Sequence, residues 1–134
     1  MEGQSKTVQV KGKVFSGKGE GSKFIELPWV KSQIKEKLGF TPFKGTLNLI
    51  LDGNGSKISE ALTKAKPIII MPKPGYCQGK CFKANVMGLV EGAIVIPEVE
   101  DYPENVLEVI APVNLREKFG LKDGDLVEVS VIIE

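Results

Sequence analysis

Val8, Val10 and Val14 fall on alternate positions among polar residues, the pattern of a strand with one buried face, and the run ends at Phe15. From Ser16 to Lys23 the chain turns polar, with glycine at every second position from 17 to 21. This predicts a loop whose backbone can come close to a ligand. Val30, Ile34 and Leu38 then recur at four-residue spacing, predicting a helix that starts at Pro28 and stops at Gly39. Thr46 to Leu51 reads as a strand, with Leu47, Leu49 and Leu51 on one face and Thr46 and Asn48 on the other. Asp52 to Gly55 predicts a turn, Ser59 to Lys64 a short helix, and Ile68 to Met71 a strand or strand fragment.

Pro72 to Gly79 is a connection by composition, to which no chemistry is assigned. Further strands are predicted at Lys80–Val86, Ala93–Ile96, Val106–Ile110 and Leu126–Ile133. Between the last two, Asn114 to Phe119 reads as one or two helical turns closed by Gly120, and Lys122 to Asp125 as a turn. Six or seven strands with two or three short helices, lacking strand–helix alternation, predict a mainly β fold: a small barrel rather than a doubly wound sheet.

Composition narrows the chemistry. The 134 residues fit one domain spanning 1–134, and 18 basic against 17 acidic side chains leave a net charge of +1. That balance argues against nucleic acid as a partner, though not against one small polyanion. With no histidine, Ser-His-Asp and Cys-His triads and the kinase catalytic loop of the protein kinases are excluded as normally built. Cys77 and Cys81 are too few for a four-thiolate zinc site and read as a reduced, buried or half-buried pair. The polar N-terminus and the lack of a long apolar run give no sign of a signal peptide or membrane span, so the expectation is a cytoplasmic protein.

Three groups of residues carry possible chemistry. The glycine loop matches neither a Walker A loop nor a dinucleotide fingerprint, so it reads either as a surface loop or as an anion cradle flanked by Lys18 and Lys23. Thr46 and Asn48, two apart on one strand face, either face solvent or share a magnesium ion whose charge is met by substrate phosphates. Glu108 interrupts the apolar run Val106–Ala111; burying it without a partner is costly, so it faces water or meets a specific donor. Beyond it, Pro112 to Arg116 opens a short helix whose amides and guanidinium suit an anion or the edge of a base.

Taken together, Val14–Gly21, Leu38–Asn48 and Glu108–Arg116 followed by Asp123-Gly124-Asp125 resemble the archaeal CTP-dependent riboflavin kinases, in order over nearly the whole chain. The resemblance implies a six-stranded cradle-loop barrel and the reaction CTP + riboflavin → CDP + FMN. It places the nucleotide on Lys18, Gly19, Glu20, Gly21, Ser22 and Lys23 and on Val113, Asn114, Leu115 and Arg116. It places Mg²⁺ on Thr46 and Asn48, and the flavin on Glu108 and Glu100, where a carboxylate stands in place of the family's hydroxyl residue. Glu108 would orient the flavin ribityl chain or accept the hydroxyl proton, and the expected state is a monomer. Two other readings use the same scaffold: a DNA-binding regulator of the swapped-hairpin kind, and a module that binds flavin or nucleotide without turnover.

Overall fold

Strand alternation closes on itself in the computed structural model, which describes residues 6–17, 20–51 and 55–133, the side chains of Glu20 and of residues 55–57 excepted. The elements are β1 (Lys6–Phe15), α1 (Glu20–Ile25), α2 (Pro28–Leu38), β2 (Leu47–Leu51), α3 (Gly55–Lys64), β3 (Ile68–Ile70), β4 (Gly79–Val86), β5 (Val90–Pro97), β6 (Val106–Ile110), α4 (Leu115–Phe119) and β7 (Leu126–Ile133). Six antiparallel strands form a closed barrel in the order β4-β5-β6-β2-β1-β7, and β7 returns to β4 through Ala84–Val86. Strand β3 adds to the other end of β4, pairing with Gly79–Cys81.

The alternation that predicts each strand sorts its side chains between two cores. Inside the barrel, Val14, Leu49, Phe82, Ile94, Leu107, Val109 and Val129 pack together, with Ile58 and Leu62 of α3 and Leu115 of α4. Outside, Ile70, Cys81, Ala93, Val95 and Ile110 form an apolar face that Phe24 and Ile25 of α1 and Val30 and Ile34 of α2 cover. Burial there pushes the Cys81 thiol up to about 12.

The barrel and the α2 expectations hold, down to Pro28 in the first turn and Gly39 in the left-handed conformation at φ 87°. Among the described residues four helices stand where two or three were expected. The additional one is α1, inside the segment read as a glycine loop, and α3 begins at Gly55 rather than Ser59. Glycine at 21 disfavours a helix by about 1 kcal/mol relative to alanine. Burial of Phe24 and Ile25, at 5% and 1% exposure, overrides that preference. Strand β5 begins at Val90 because Met87 and Gly88, both at positive φ, turn the chain tightly out of β4. Helix α2 also seals the free edge after β3, where the Gln33 amide exchanges two hydrogen bonds with the Met71 backbone at 2.8 and 3.0 Å. Among the described residues no helix is long and apolar enough to cross a membrane.

Candidate active site

Glu108 and Asn48 are the two buried polar side chains among the described residues, and they are direct neighbours across β6 and β2. Both point out of the barrel, because Leu47, Leu49, Leu107 and Val109 take the inner face. Glu108 is 1% exposed, so its carboxylate must be paired. Three donors meet it. The Gly21 amide donates to Oε2 at 2.9 Å, the Tyr102 hydroxyl to the same oxygen at 2.6 Å, and the Thr46 hydroxyl to Oε1 at 2.8 Å. Gly21 sits in the first turn of α1, where an amide lacks a partner within the helix and suits an anion. A side chain at position 21 would collide with this arrangement, since an added Cβ lies 2.8 Å from Glu108 Cδ and from both its oxygens.

Asn48 completes the junction. Its Nδ2 donates to the Gly17 carbonyl at 3.1 Å, and its Oδ1 lies 3.3 Å from Thr46 Oγ1. The two ends of the glycine loop are thus held to the same spot, Gly17 by Asn48 and Gly21 by Glu108. Lys18 and Gly19, predicted nucleotide contacts, lie outside the described residues, as do Asp52, Gly53 and Asn54 of the predicted turn; the Glu20 side chain is likewise not described.

The donor set here suits a hard divalent cation. Two cis oxygens of an octahedral magnesium site stand about 3 Å apart, close to the Thr46–Asn48 separation. Thr46 gives its hydroxyl hydrogen to Glu108 at the shorter of its two contacts, which leaves its lone pairs for a metal, and Asn48, with its Nδ2 on the Gly17 carbonyl, turns Oδ1 toward Thr46, where a metal could share it. Among the described residues no cluster of three acidic or cysteine side chains offers a metal site.

Beside this junction lies a cleft of about 190 Å³ lined by Phe43, Lys44, Gly45 and Thr46 on one side and Val113, Asn114 and Arg116 on the other. Phe43 is held there by the hydrogen bond that its backbone N–H donates to the Ala111 carbonyl, 2.7 Å, and stays 45% exposed. Half-buried Ser22 faces Gly45 across the space. The predicted residues 113–116 divide in role. Val113 presents an exposed side chain, Leu115 sends its own into the barrel, and Asn114 Oδ1 caps α4 by accepting from the Glu117 amide at 3.1 Å. Arg116 reaches back to the glycine loop: its guanidinium donates to Asp123 at 2.9 Å and to Ser16 Oγ at 3.2 Å, and Ser16 donates to the same Asp123 oxygen at 2.9 Å. Those hydrogen bonds, Arg116 first, hold the Asp123 carboxyl below its ordinary 3.8.

Two predicted contacts fall elsewhere. Lys23 is exposed and lines a different cavity with Phe24, Leu27, Tyr76 and Cys77. Glu100 is exposed on the loop between β5 and β6. That same loop supplies Tyr102, which the sequence reading missed, together with a wall of an apolar cavity of about 240 Å³ at the α3 end of the barrel. Ser16, Phe43 and Asp123 were missed as well. All three stood inside the motifs that carry the family resemblance, but no periodicity marked them out.

A family model named for CTP-dependent riboflavin kinase, and described as domain of unknown function DUF120, matches residues 14–131. The chain belongs to the riboflavin kinase family. It is 45% identical over 131 residues to a riboflavin kinase of Archaeoglobus fulgidus, covering 95% of this chain and 56% of the relative. A riboflavin kinase of Pyrobaculum arsenaticum is 44% identical, covering 95% and 62%. One of Sulfurisphaera tokodaii is 37% identical, covering 97% and 99%. The chain therefore spans about three-fifths of the length of the first two riboflavin kinases and nearly all of the third. Every member of the Glu108 junction lies inside the stretch matched by the family.

Proposed function

We propose that this domain transfers the γ-phosphate of CTP to the 5′-hydroxyl of riboflavin, giving CDP and FMN, with Mg²⁺ held by Thr46 and Asn48. The reading is supported above all by the convergence of both ends of a glycine loop, two neutral oxygen ligands and one buried carboxylate at a single junction. Phosphoryl transfer asks mainly for alignment and charge neutralisation, so a site without histidine is sufficient. Mg²⁺, when bound, offsets the charge that builds on the phosphate oxygens.

The nucleotide lies along the cleft, its phosphates against the loop from Lys18 to Ser22 and its base between Phe43 and Val113, with Lys44 and Arg116 as the flanking cations. Riboflavin takes the Glu100–Tyr102 side, where the apolar cavity suits a flat ring. The hydroxyl oxygen forms the new bond to phosphorus, the bond to the bridging oxygen breaks, and the hydroxyl proton passes to water. Glu108 already accepts three donors of the roughly four its oxygens can take. Its part is to orient Thr46 and the incoming hydroxyl rather than to receive the proton.

Incubating the protein with riboflavin, Mg²⁺ and either CTP or ATP, and separating the flavins by chromatography, tests this directly. FMN is expected with CTP and not with ATP. Equal yields from both would remove the donor assignment, and no FMN from either would remove the kinase assignment.

A further inference from the structure

Tyr102 stands at an unusual point in the molecule. The chain turns at Asp101, whose φ is 61°, and the Tyr102 hydroxyl that follows reaches Glu108 on the outer face of β6. Its hydroxyl shares Glu108 Oε2 with the amide of Gly21, the C-terminal end of the glycine loop, while Thr46 takes Oε1. Tyr102 also lines the apolar cavity with Val99, Val106 and Leu107. One buried carboxylate therefore joins the phosphate side of the site to the wall of the cavity through hydrogen bonds of 2.6 to 2.9 Å.

We propose that Tyr102 is a positioning residue that couples the two substrates: through Glu108 it makes riboflavin bind more tightly once the nucleotide side is filled, and the reverse. The inference rests on the kinase reading for the identity of the two ligands. Phosphates arriving at the glycine loop fix Gly21, and a metal arriving at Thr46 fixes its hydroxyl. Both changes hold the carboxylate still. A fixed carboxylate holds the Tyr102 hydroxyl, and so the loop from Val99 to Pro103, in the conformation that bounds the cavity. The ordering cost of that loop is then met before riboflavin arrives, which is positive coupling between sites.

The test is riboflavin titration, followed by quenching of flavin fluorescence, with Mg²⁺ and with or without a CTP analogue carrying a methylene between the β- and γ-phosphorus. Wild type is expected to bind riboflavin at least about fivefold more tightly with the analogue, and the analogue at least about fivefold more tightly with riboflavin. In Tyr102→Phe the ring is kept and the hydroxyl lost. The ratio of riboflavin affinities with and without the analogue is expected to fall to near one. Glu108→Gln is expected to lose the ratio too, which guards against a folding defect peculiar to position 102. An unchanged ratio in Tyr102→Phe overturns the proposal, as does weaker riboflavin binding at an unchanged ratio, which would make Tyr102 a plain flavin contact. FMN formation from riboflavin and CTP by the same protein preparations, without the analogue, separates the two readings. FMN with an unchanged ratio leaves the kinase standing and this inference fallen; a lost ratio with no FMN does the opposite.

Discussion

Strand β6 is buried on both faces, but by different means. Leu107 and Val109 enter the barrel and are covered by apolar side chains from the other five strands, at 3% and 1% exposure. Glu108 between them is as deeply buried, and it is covered by two hydroxyls and one backbone amide, two of these donors coming from distant parts of the chain and Tyr102 from the loop just before the strand. Apolar burial is non-directional, so many sequences with the right alternation fill the inner face. Polar burial is directional, and loss of one partner leaves the others unsatisfied in a low-dielectric setting. The places of Leu107 and Val109 therefore tolerate exchange that the place of Glu108 does not, although all three belong to the same five-residue strand.

The sharpest way to break that contrast is Glu108→Ala, which leaves three donors at the junction without their acceptor. FMN formation is expected to fall about 100-fold or more, with a loss of stability of about 1–3 kcal/mol for each donor left dry. Retained turnover would end the assignment of chemistry to the outer face. Ile94→Ala, on the inner face at 0% exposure, is the mirror experiment. Denaturant unfolding should show a loss of about 2–5 kcal/mol, and the folded fraction should keep its turnover number.

Gly21→Ala sharpens the contrast further. By helix propensity alone it would stabilise α1 by about 1 kcal/mol, whereas the 2.8 Å approach to the carboxyl group forces Glu108 to move. The expected result is reduced turnover, on the order of tenfold, with no gain in thermal midpoint. The smallest effect belongs to the exposed clasp between Arg116, Ser16 and Asp123. The folded carboxyl of Asp123 lies below 3.8, so its contribution is complete above that value and is lost as pH falls through the folded one. Asp123→Asn should raise the KM for CTP modestly and equally across pH 5 to 8, leave kcat alone, and differ least from wild type in strong acid. A change confined to kcat would show that the clasp reaches the reacting atoms.

The same contrast explains what the sequence disclosed. Alternation in Val106–Ile110 and Leu126–Ile133 is local, and those two strands have the predicted bounds. The carboxylate interrupting β6 was also visible as an anomaly in need of a donor. Its donors were less so: Gly21 and Thr46 lie 87 and 62 positions away, and Tyr102 is a single aromatic in an irregular loop. Helix α1 escaped notice because its glycine and serine speak for a loop, while what forms it is the burial of Phe24 and Ile25 against strands formed much later in the chain. Asp123 and Ser16, 107 positions apart, meet only because β1 and β7 pair and bring their ends together.

The pairing of Asn48 opposite Glu108 also bears on how the chain finds its fold. Were β6 to align one position out of step, Glu108 would be driven into the hydrocarbon interior with no donor within reach, while Leu107 and Val109 would be left outside. A buried acid thus acts as a proofreader during barrel closure, penalising the mispaired strand more heavily than any exchange of one aliphatic side chain for another could.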